Sequence, residues 1–436
     1  MTIPFLLRCK RSRRRDAATL AFALWFLAAP AWSAAAEISF DEAVRLAMAR
    51  APSLQALRSQ TVAAREEATR AAALPDPTLT FGLINLPVTG GDAFDGRADD
   101  MTMKEIGVMQ ALPAPAKRRS RQAVADRGIE QAEALSTAGR LAVHRAAAEA
   151  WIALWAAQRE VDALRELREP SALAIRVAEA RLASGIGSAA DALATQAAAL
   201  ELENRIDAAE AAVGAARGTL ARWLGETSGD LVTVGAPPDL TVLPVGEATL
   251  LASVDRHAAL LPWRSRETVA EAEVARASAE TRPDWSIGVS YGQRNRSRDG
   301  VPRSDMLSIE VSVDLPLFTR NRQDRGIAAR RAELDAVAAA HEDARLAQRE
   351  TVRRALARWH GLKRQVTRKE VQMLPLAHDR ARVAMASYGG GGELQPWLEA
   401  RRDELELHVE HARHLGELGR EWAALAFLMP DEETTP

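Results

Sequence analysis

Residues 283–292 read PDWSIGVSYG, and residues 307–316 read LSIEVSVDLP. In both stretches apolar residues alternate with residues that are small or acidic. A period of two is typical of a β-strand with one apolar face, so the two stretches predict a hairpin. An apolar face opposite a small, polar face fits a wall between lipid and water. It fits equally a hairpin whose apolar face packs on a soluble core.

The landmarks at the ends of this hairpin occur twice in the chain. The spacing between the two copies is 203 to 208 residues, and the pairs are Pro75-Asp76 with Pro283-Asp284, Leu112-Pro113 with Leu315-Pro316, and Gly185 and Gly187 with Gly390 and Gly392. Two copies of one unit account for this spacing. We expect a first repeat over 37–235, a linker over 236–246, a second repeat over 247–430 and a tail over 431–436.

Each repeat has the same predicted order of helix, strand, strand, long helix, turn and helix. The opening helices are expected over 40–73 and 248–280, and the strands of the first repeat over 78–83 and 101–112. The long helical stretch over 117–184 would span about 100 Å if it were continuous. Within it, apolar residues at spacings of three and seven predict a seam for side-by-side helix packing, and they are Trp151, Leu154, Val161 and Leu164. Pro170 and the matching Pro375 should kink the two long stretches at the same depth.

The N-terminus has the composition of a signal peptide, which we place at 1–36. Basic residues between Arg8 and Arg15 precede an apolar run over 17–32, and Ala34-Ala35-Ala36 offers a cleavage site. The chain's one cysteine, Cys9, lies within this segment.

Composition and hydropathy limit the possible partners. The chain is 47% hydrophobic and 27% charged with a net charge of -2, which argues against a nucleic-acid partner. Beyond the signal, no stretch approaches the roughly 20 apolar residues of a membrane helix, so contact with a membrane would have to use strands. Four strands cannot close a barrel, because the smallest known have about eight. Three chains would supply twelve.

At this point the sequence resembles the TolC-type outer-membrane efflux proteins over about residues 38–430. The resemblance rests on four landmarks in a fixed order. The first two are the opening Asp41-Glu42-Ala43 with Ala51-Pro52 and the two Pro-Asp steps. The last two are the Leu-Pro step at the end of each second strand, followed by residues 117–119 and 320–322, and the glycine-containing turns over 181–193 and 388–401.

The resemblance implies a mainly α-helical fold with a membrane β-barrel portion. In such proteins a homotrimer shares one 12-stranded barrel in the outer membrane, and a 12-helix tunnel extends into the periplasm. The implied partners are a second and third copy of the chain, outer-membrane lipid, a periplasmic adaptor protein and an inner-membrane pump of the RND type.

The resemblance also assigns roles to individual residues. The adaptor-docking tip would contain Arg181, Leu182, Gly185, Gly187, Gly389, Gly390 and Gly392. Glu399 and Asp191 match positions where relatives narrow the tunnel with acidic rings, and they are the candidate gate or cation ring. Pro396 and Ala194 depart from that pattern.

The cargo is expected to be heavy-metal cations, because the sequence is most similar to the CzcC/CusC-like branch. The similar features are Pro75-Asp76-Pro77, Met101-Thr102-Met103 and Trp422-Ala423-Ala424-Leu425. Drug efflux and type I secretion remain alternatives, and so does a periplasmic coiled-coil adaptor. No catalytic motif, metal site or cofactor site is predicted, so we expect a duct and not an enzyme.

Overall fold

The computed structural model describes residues 36–225, 231–389 and 395–430. Residues 1–35, which make up nearly all of the predicted signal peptide, and the predicted tail over 431–436 fall outside that range.

The described chain is mainly helical. The helices are α1 (Phe40–Arg50), α2 (Pro52–Ala71), α3 (Pro115–Glu166), α4 (Arg168–Ala183), α5 (Ala189–Leu224), α6 (Glu247–Ala252), α7 (Leu261–Ala279), α8 (Gln323–Arg368), α9 (Leu374–Gly389) and α10 (Gln395–Ala426). Among the parts described, no helix combines the length and the apolar character that crossing a membrane requires.

The strands form two sheets. They are β1 (Ala36–Ile38), β2 (Thr78–Ile84), β3 (Met103–Leu112), β4 (Leu231–Thr233), β5 (Asp284–Arg294) and β6 (Met306–Asp314). The small sheet pairs β1 with β4 in parallel, and the sequence patterns did not predict it. The larger sheet is antiparallel in the order β2-β3-β5-β6, so its central pair joins the two halves of the chain. Both predicted hairpins are present.

The opening helices are less continuous than predicted. The first breaks at Ala51, because Pro52 takes the first position of a new helix, where its missing N–H costs nothing. The second is interrupted by a 3₁₀ turn (Val254–Arg256) and restarts at Leu261, just before Pro262. The expectation of one helix over 248–280 was therefore wrong. At the start of the chain, Ser39 caps α1, with its Oγ accepting from the Glu42 N–H at 3.4 Å.

The two prolines interrupt the long helical stretches as expected, but by different means. The Pro170 ring crowds the carbonyl four residues earlier, and α3 ends at that residue, Glu166. In the second half a π-helical turn (Lys369–Met373) lies just before Pro375 and absorbs the same conflict by widening the helix.

The core of the bundle lies where the linker crosses the long helices. Trp151, Trp359 and Trp422 are buried there, and each indole N–H donates to a backbone carbonyl. The acceptors are Ile38 O at 2.9 Å, Leu240 O at 2.9 Å and Val242 O at 2.8 Å respectively. Each indole N–H thus satisfies a backbone carbonyl of β1 or of the linker, and the buried indole keeps a hydrogen-bond partner of its own.

A second apolar cluster lies further along α3 toward the turns. It joins the two halves through Val161 and Leu164 of α3, Ile206 of α5, and Leu405 and Val409 of α10. Together with Trp151 and Leu154, the two α3 residues form the buried seam that their spacing of three and seven indicated.

Candidate functional site

The sheet has one apolar face, and that face is exposed. Its members are 44–74% exposed, and they are Leu79, Phe81, Leu83, Ile106, Val108, Trp285, Ile287, Val289, Tyr291, Leu307, Ile309 and Val311. Monomeric soluble proteins rarely expose an apolar patch of this extent. The alternative of a hairpin packed on a soluble core of its own chain does not fit this arrangement.

The strand register keeps apolar residues together across all four strands. Val108 lies opposite Leu79 on one side and Val289 on the other, and Val289 in turn lies opposite Ile309. Residues directly opposite each other share a face, so the apolar residues form one continuous surface. The other face contains small and acidic residues such as Ser290, which lies between Gly107 and Ser308.

The first predicted tip residues form a compact turn between α4 and α5. The Arg181 carbonyl accepts from the Ile186 N–H at 3.0 Å, the Gly187 N–H at 2.9 Å and the Ser184 hydroxyl at 3.0 Å. Gly185 has a φ of 76°, a left-handed conformation that closes helices. A Cβ on Gly187 would lie 2.9 Å from the Arg181 Cβ, so this position also needs glycine.

Apolar side chains project from this turn. Leu182 is 40% exposed, and Ile186, between the two glycines, is 75% exposed. Leu193, in the second turn of α5, is exposed as well. Leu182 was predicted from the sequence and Ile186 was not, although an isoleucine held between two glycines of a tight turn has little chance of being buried.

The second predicted turn is only partly described. Gly389 is the last residue of α9, while Gly390 and Gly392 fall in the gap between 389 and 395. Their predicted role in the tip therefore stays a prediction.

The two gate candidates occupy comparable places in the two halves. Asp191 lies in the first turn of α5 and Glu399 in the second turn of α10. Glu399 is exposed, and its carboxylate accepts from the Gln395 amide at 3.0 Å. It lines a cleft of about 350 Å³ between the α4–α5 hairpin and α10, together with Arg402 and Glu406.

The same cleft contains an ion pair between the halves of the chain. The Arg205 guanidinium donates two hydrogen bonds to the Glu406 carboxylate, at 2.6 and 2.9 Å. This contact holds the pKa of Glu406 below its usual range. The pair places α5 against α10, and no periodic signal in the sequence pointed to it.

Near the cleft, Glu404 is buried between α9 and α10. Burial alone would raise the pKa of this carboxyl, but hydrogen bonds from Arg401 at 2.8 Å and His378 at 2.9 Å lower it further than burial raises it. Glu404 therefore stays ionised and ties α9 to α10 near their turn.

Residues that could hold a metal are not grouped. Within the described residues, no cluster of three or more His, Cys, Asp or Glu side chains has the arrangement of a metal site.

These features can be compared with known proteins. Residues 253–429 match the outer membrane efflux protein family. The matched segment begins just before the 3₁₀ turn in the second half and ends after α10, so it includes β5, β6 and the Glu399 region. No curated protein matches the sequence.

Solved structures share the fold over 89–90% of this chain. CusC, whose crystal structures concern transmembrane channel formation, is 14% identical with a TM-score of 0.71, covering 90% of this chain and 92% of its own. The CmeC outer membrane channel of Campylobacter jejuni is 14% identical with a TM-score of 0.70, covering 89% and 85%. The MtrE outer membrane channel of Neisseria gonorrhoeae, in its open state, is 19% identical with a TM-score of 0.70, covering 89% and 88%. The chain therefore has the fold of these channels.

Proposed function

We propose that this protein is the outer-membrane exit duct of a tripartite efflux system, assembled as a homotrimer and exporting heavy-metal cations. A separate inner-membrane pump would supply the energy through a periplasmic adaptor. The observation that carries this proposal is the exposed apolar face of a sheet attached to the end of a long helical bundle.

The sheet supports the membrane location. Burying one large apolar side chain is worth about 1.5–3 kcal/mol, so an exposed face with a dozen such residues is costly in water. Lipid removes that cost, and the small, polar face would then line a water-filled interior.

The edges of the sheet support an assembly. Within the described residues, β2 and β6 each pair on one side only. Unpaired edges are not tolerated in lipid, because their N–H and C=O groups have no water to bond. Three copies would close twelve strands into one barrel and bring together the long helices of three bundles as a twelve-helix tunnel.

The length of the helices supports a duct. α3 has 52 residues and α8 has 46, which correspond to about 80 and 70 Å. The turn between α4 and α5 lies beyond the end of α3, and its exposed Leu182 and Ile186 offer an apolar surface for an adaptor. Arg181, Gly185 and Gly187 shape that turn, and Gly389, Gly390 and Gly392 would shape the second one.

The cargo assignment rests on the similarity to the metal-exporting branch and on the acidic candidates. Threefold symmetry would turn Glu399 and Asp191 into rings of three carboxylates, which attract cations. A duct needs weak, transient contacts with its cargo, because tight binding would slow transit.

The cargo is tested by growth of a deletion strain and its complemented counterpart on copper, silver, zinc, cobalt, cadmium and several drugs. We expect sensitivity to one or two metals that the intact gene reverses. Sensitivity to drugs with metal tolerance unchanged would favour drug efflux, and a secretion defect with neither sensitivity would favour type I secretion.

The gate is tested by conductance in planar bilayers. Glu399→Gln should lower the preference for cations, while Glu399→Asp, which keeps the charge, should not. Equal selectivity of the two variants and the native channel would remove Glu399 from the gate.

The adaptor alternative is tested by cell fractionation. A periplasmic adaptor without a membrane-embedded sheet would be released with the soluble periplasmic fraction. We expect the protein to stay with the outer membrane until detergent is added.

A further inference from the structure

We infer that β6 of one copy of this chain pairs with β2 of a second copy in one fixed register. In that arrangement Arg320 of the first copy forms an ion pair with Asp76 of the second. The inference rests on the proposed trimer and adds the residues that specify how the copies join.

The pattern for this contact exists inside one chain. Where β3 meets β5, the Asp284 carboxylate accepts from the Ala114 N–H at 2.8 Å and from the Lys117 Nζ at 2.8 Å. Lys117 is buried and also lies 3.3 Å from Glu280. This junction ties the beginning of β5 to the beginning of α3, where strands give way to helices.

The internal repeat contains an acidic and a basic residue at the corresponding positions a second time, but these two residues do not contact each other. Counting from the Pro-Asp and Leu-Pro landmarks, Asp76 corresponds to Asp284, and Arg320 corresponds to Lys117. Both Asp76 and Arg320 are exposed, and no hydrogen bond or ion pair joins either of them to another described residue. The acid lies before β2 and the base lies after β6, at opposite edges of the sheet, so they cannot meet within one chain.

The surroundings of the two strand exits differ as this inference requires. Ala114, after β3, is buried because β5 covers that exit. The corresponding Leu317 is 72% exposed, and Phe318 beside it is 84% exposed. The residues after β6 thus have the exposure that the residues after β3 would have if β5 did not cover them.

The repeat also specifies the register. Inside the chain, Val108 lies opposite Val289 and Ile106 lies opposite Tyr291. Transferred to the open edges, the same pairing places Val311 opposite Phe81 and Ile309 opposite Leu83 of the next copy.

The side-chain pattern of β2 and β6 supports this register independently of the landmarks from which the register was obtained. The transferred pairs bring apolar residues opposite apolar residues on the same face. A shift of one residue would place the apolar side chains of β6 opposite the small, polar side chains of β2. The landmarks that define the register lie at or just beyond the ends of the strands, away from the transferred pairs, so this agreement does not follow from the choice of landmarks.

The contact between copies would differ from its internal counterpart in one respect. Glu280 corresponds to Ala72, so Arg320 would meet one carboxylate where Lys117 meets two. Loss of the pair between copies should therefore loosen the trimer without unfolding each chain.

The register is tested by disulfide cross-linking in a Cys9→Ser background, which has no other cysteine. Val311→Cys with Phe81→Cys, oxidised in native outer membranes, should give covalent dimers and trimers. Val311→Cys with Leu79→Cys or Leu83→Cys, each two residues out of register, should give less than a tenth of that yield. The matched control is Val108→Cys with Val289→Cys, which are opposite each other in one chain and should cross-link without any gain in mass.

The outcomes separate this inference from the proposed function. A trimer by mass that cross-links best through an out-of-register pair, or through none of the pairs, would overturn the inferred register and leave the trimer intact. A monomeric mass in detergent without cross-links would overturn the proposed assembly itself.

The ion pair is tested by exchanging its charges. Asp76→Arg and Arg320→Asp should each lower the temperature at which the trimer dissociates in mild detergent, and the double exchange should recover at least half of the loss. Additive losses in the double variant would overturn the pair. The same exchange at Lys117 and Asp284 is the comparison, and it should affect folding of the single chain.

Discussion

The helical bundle and the sheet place the same kinds of side chain in opposite surroundings. Trp151 in the bundle is 0% exposed, and its indole N–H donates to Ile38 O. Trp285 in β5 is 50% exposed on the apolar face of the sheet. The bundle therefore buries such side chains within one chain, whereas the apolar face of the sheet stays exposed, and under the proposed function lipid and other copies would cover it. Each region can be perturbed separately.

The largest difference is expected from truncating the two tryptophans. Trp151→Ala should lower the free energy of unfolding by about 3–5 kcal/mol, since it leaves a cavity and an unpaired carbonyl. Trp285→Ala should cost under about 1 kcal/mol in detergent. Thermal unfolding followed by circular dichroism at 222 nm measures both, and equal losses would contradict the division between the two regions.

A charge on each face of the sheet sharpens the comparison next. Val289→Arg places a charge on the apolar face and should cost about 2–4 kcal/mol if that face meets the bilayer midplane. Ser290→Arg, one residue along on the other face, should be tolerated. The amount of heat-stable trimer in outer membranes is the measurement. A greater loss for Ser290→Arg would reverse the assigned orientation of the sheet.

Acid should affect the bundle through His411 of α10. Burial first, and then the positive charges of His408 and Lys369, lower the pKa of His411 to about 4. In an unfolded chain a histidine titrates near 6.5, so between these values the unfolded state binds more protons. The contribution of neutral His411 is complete above about pH 6.5 and is lost as the pH falls toward 4.

The size of this effect is at most about 3 kcal/mol. We expect His411→Gln to unfold with a weaker dependence on pH over that interval than the native protein, in denaturant titrations of the helical signal. Identical pH dependence in the two proteins would show that His411 does not titrate as its surroundings indicate.

The smallest effect is expected at the turn between α4 and α5. Gly185→Ala would place a side chain at a φ of 76° and should cost about 1 kcal/mol, confined to the turn. Gly214→Ala inside α5, where an added Cβ meets nothing within 4 Å, should stabilise that helix by a similar amount. Amide exchange of residues near the turn distinguishes a local opening from a global one.

Much of the architecture could be predicted because it depends on periodic patterns. The alternation in 285–291 and 307–313 predicted β5 and β6, and the repeat located the corresponding strands of the first half. The spacing of Trp151, Leu154, Val161 and Leu164 predicted the buried seam of α3. These patterns depend only on nearby residues, so they can be recognised without knowing what packs against the element.

The candidate site was predicted less completely. Leu182 and the glycines of the first turn were named from the resemblance to the TolC-type proteins, and the left-handed conformation of Gly185 explains why the turn contains glycine. The exposed Ile186, the Arg205–Glu406 pair and the buried Glu404 were missed. Ile186 could have been named from the two glycines that flank it. The other two depend on which helices lie side by side, and residues 201 positions apart, such as Arg205 and Glu406, leave no periodic trace of their contact.

The sequence by itself determined the order of the long helices and of the four strands of the larger sheet, the positions of the helix breaks near Pro170 and Pro375, and the two faces of the strands. Hydrogen-bond geometry and the alternation of side chains act over a few residues, so they can be inferred from local order. Only the tertiary structure decided that β3 and β5 join the two halves, that the tryptophans bond carbonyls of β1 and of the linker, and that the apolar face of the sheet is exposed. These outcomes depend on which surfaces the whole chain can bury against one another, and the apolar face of the sheet is a surface that it leaves exposed.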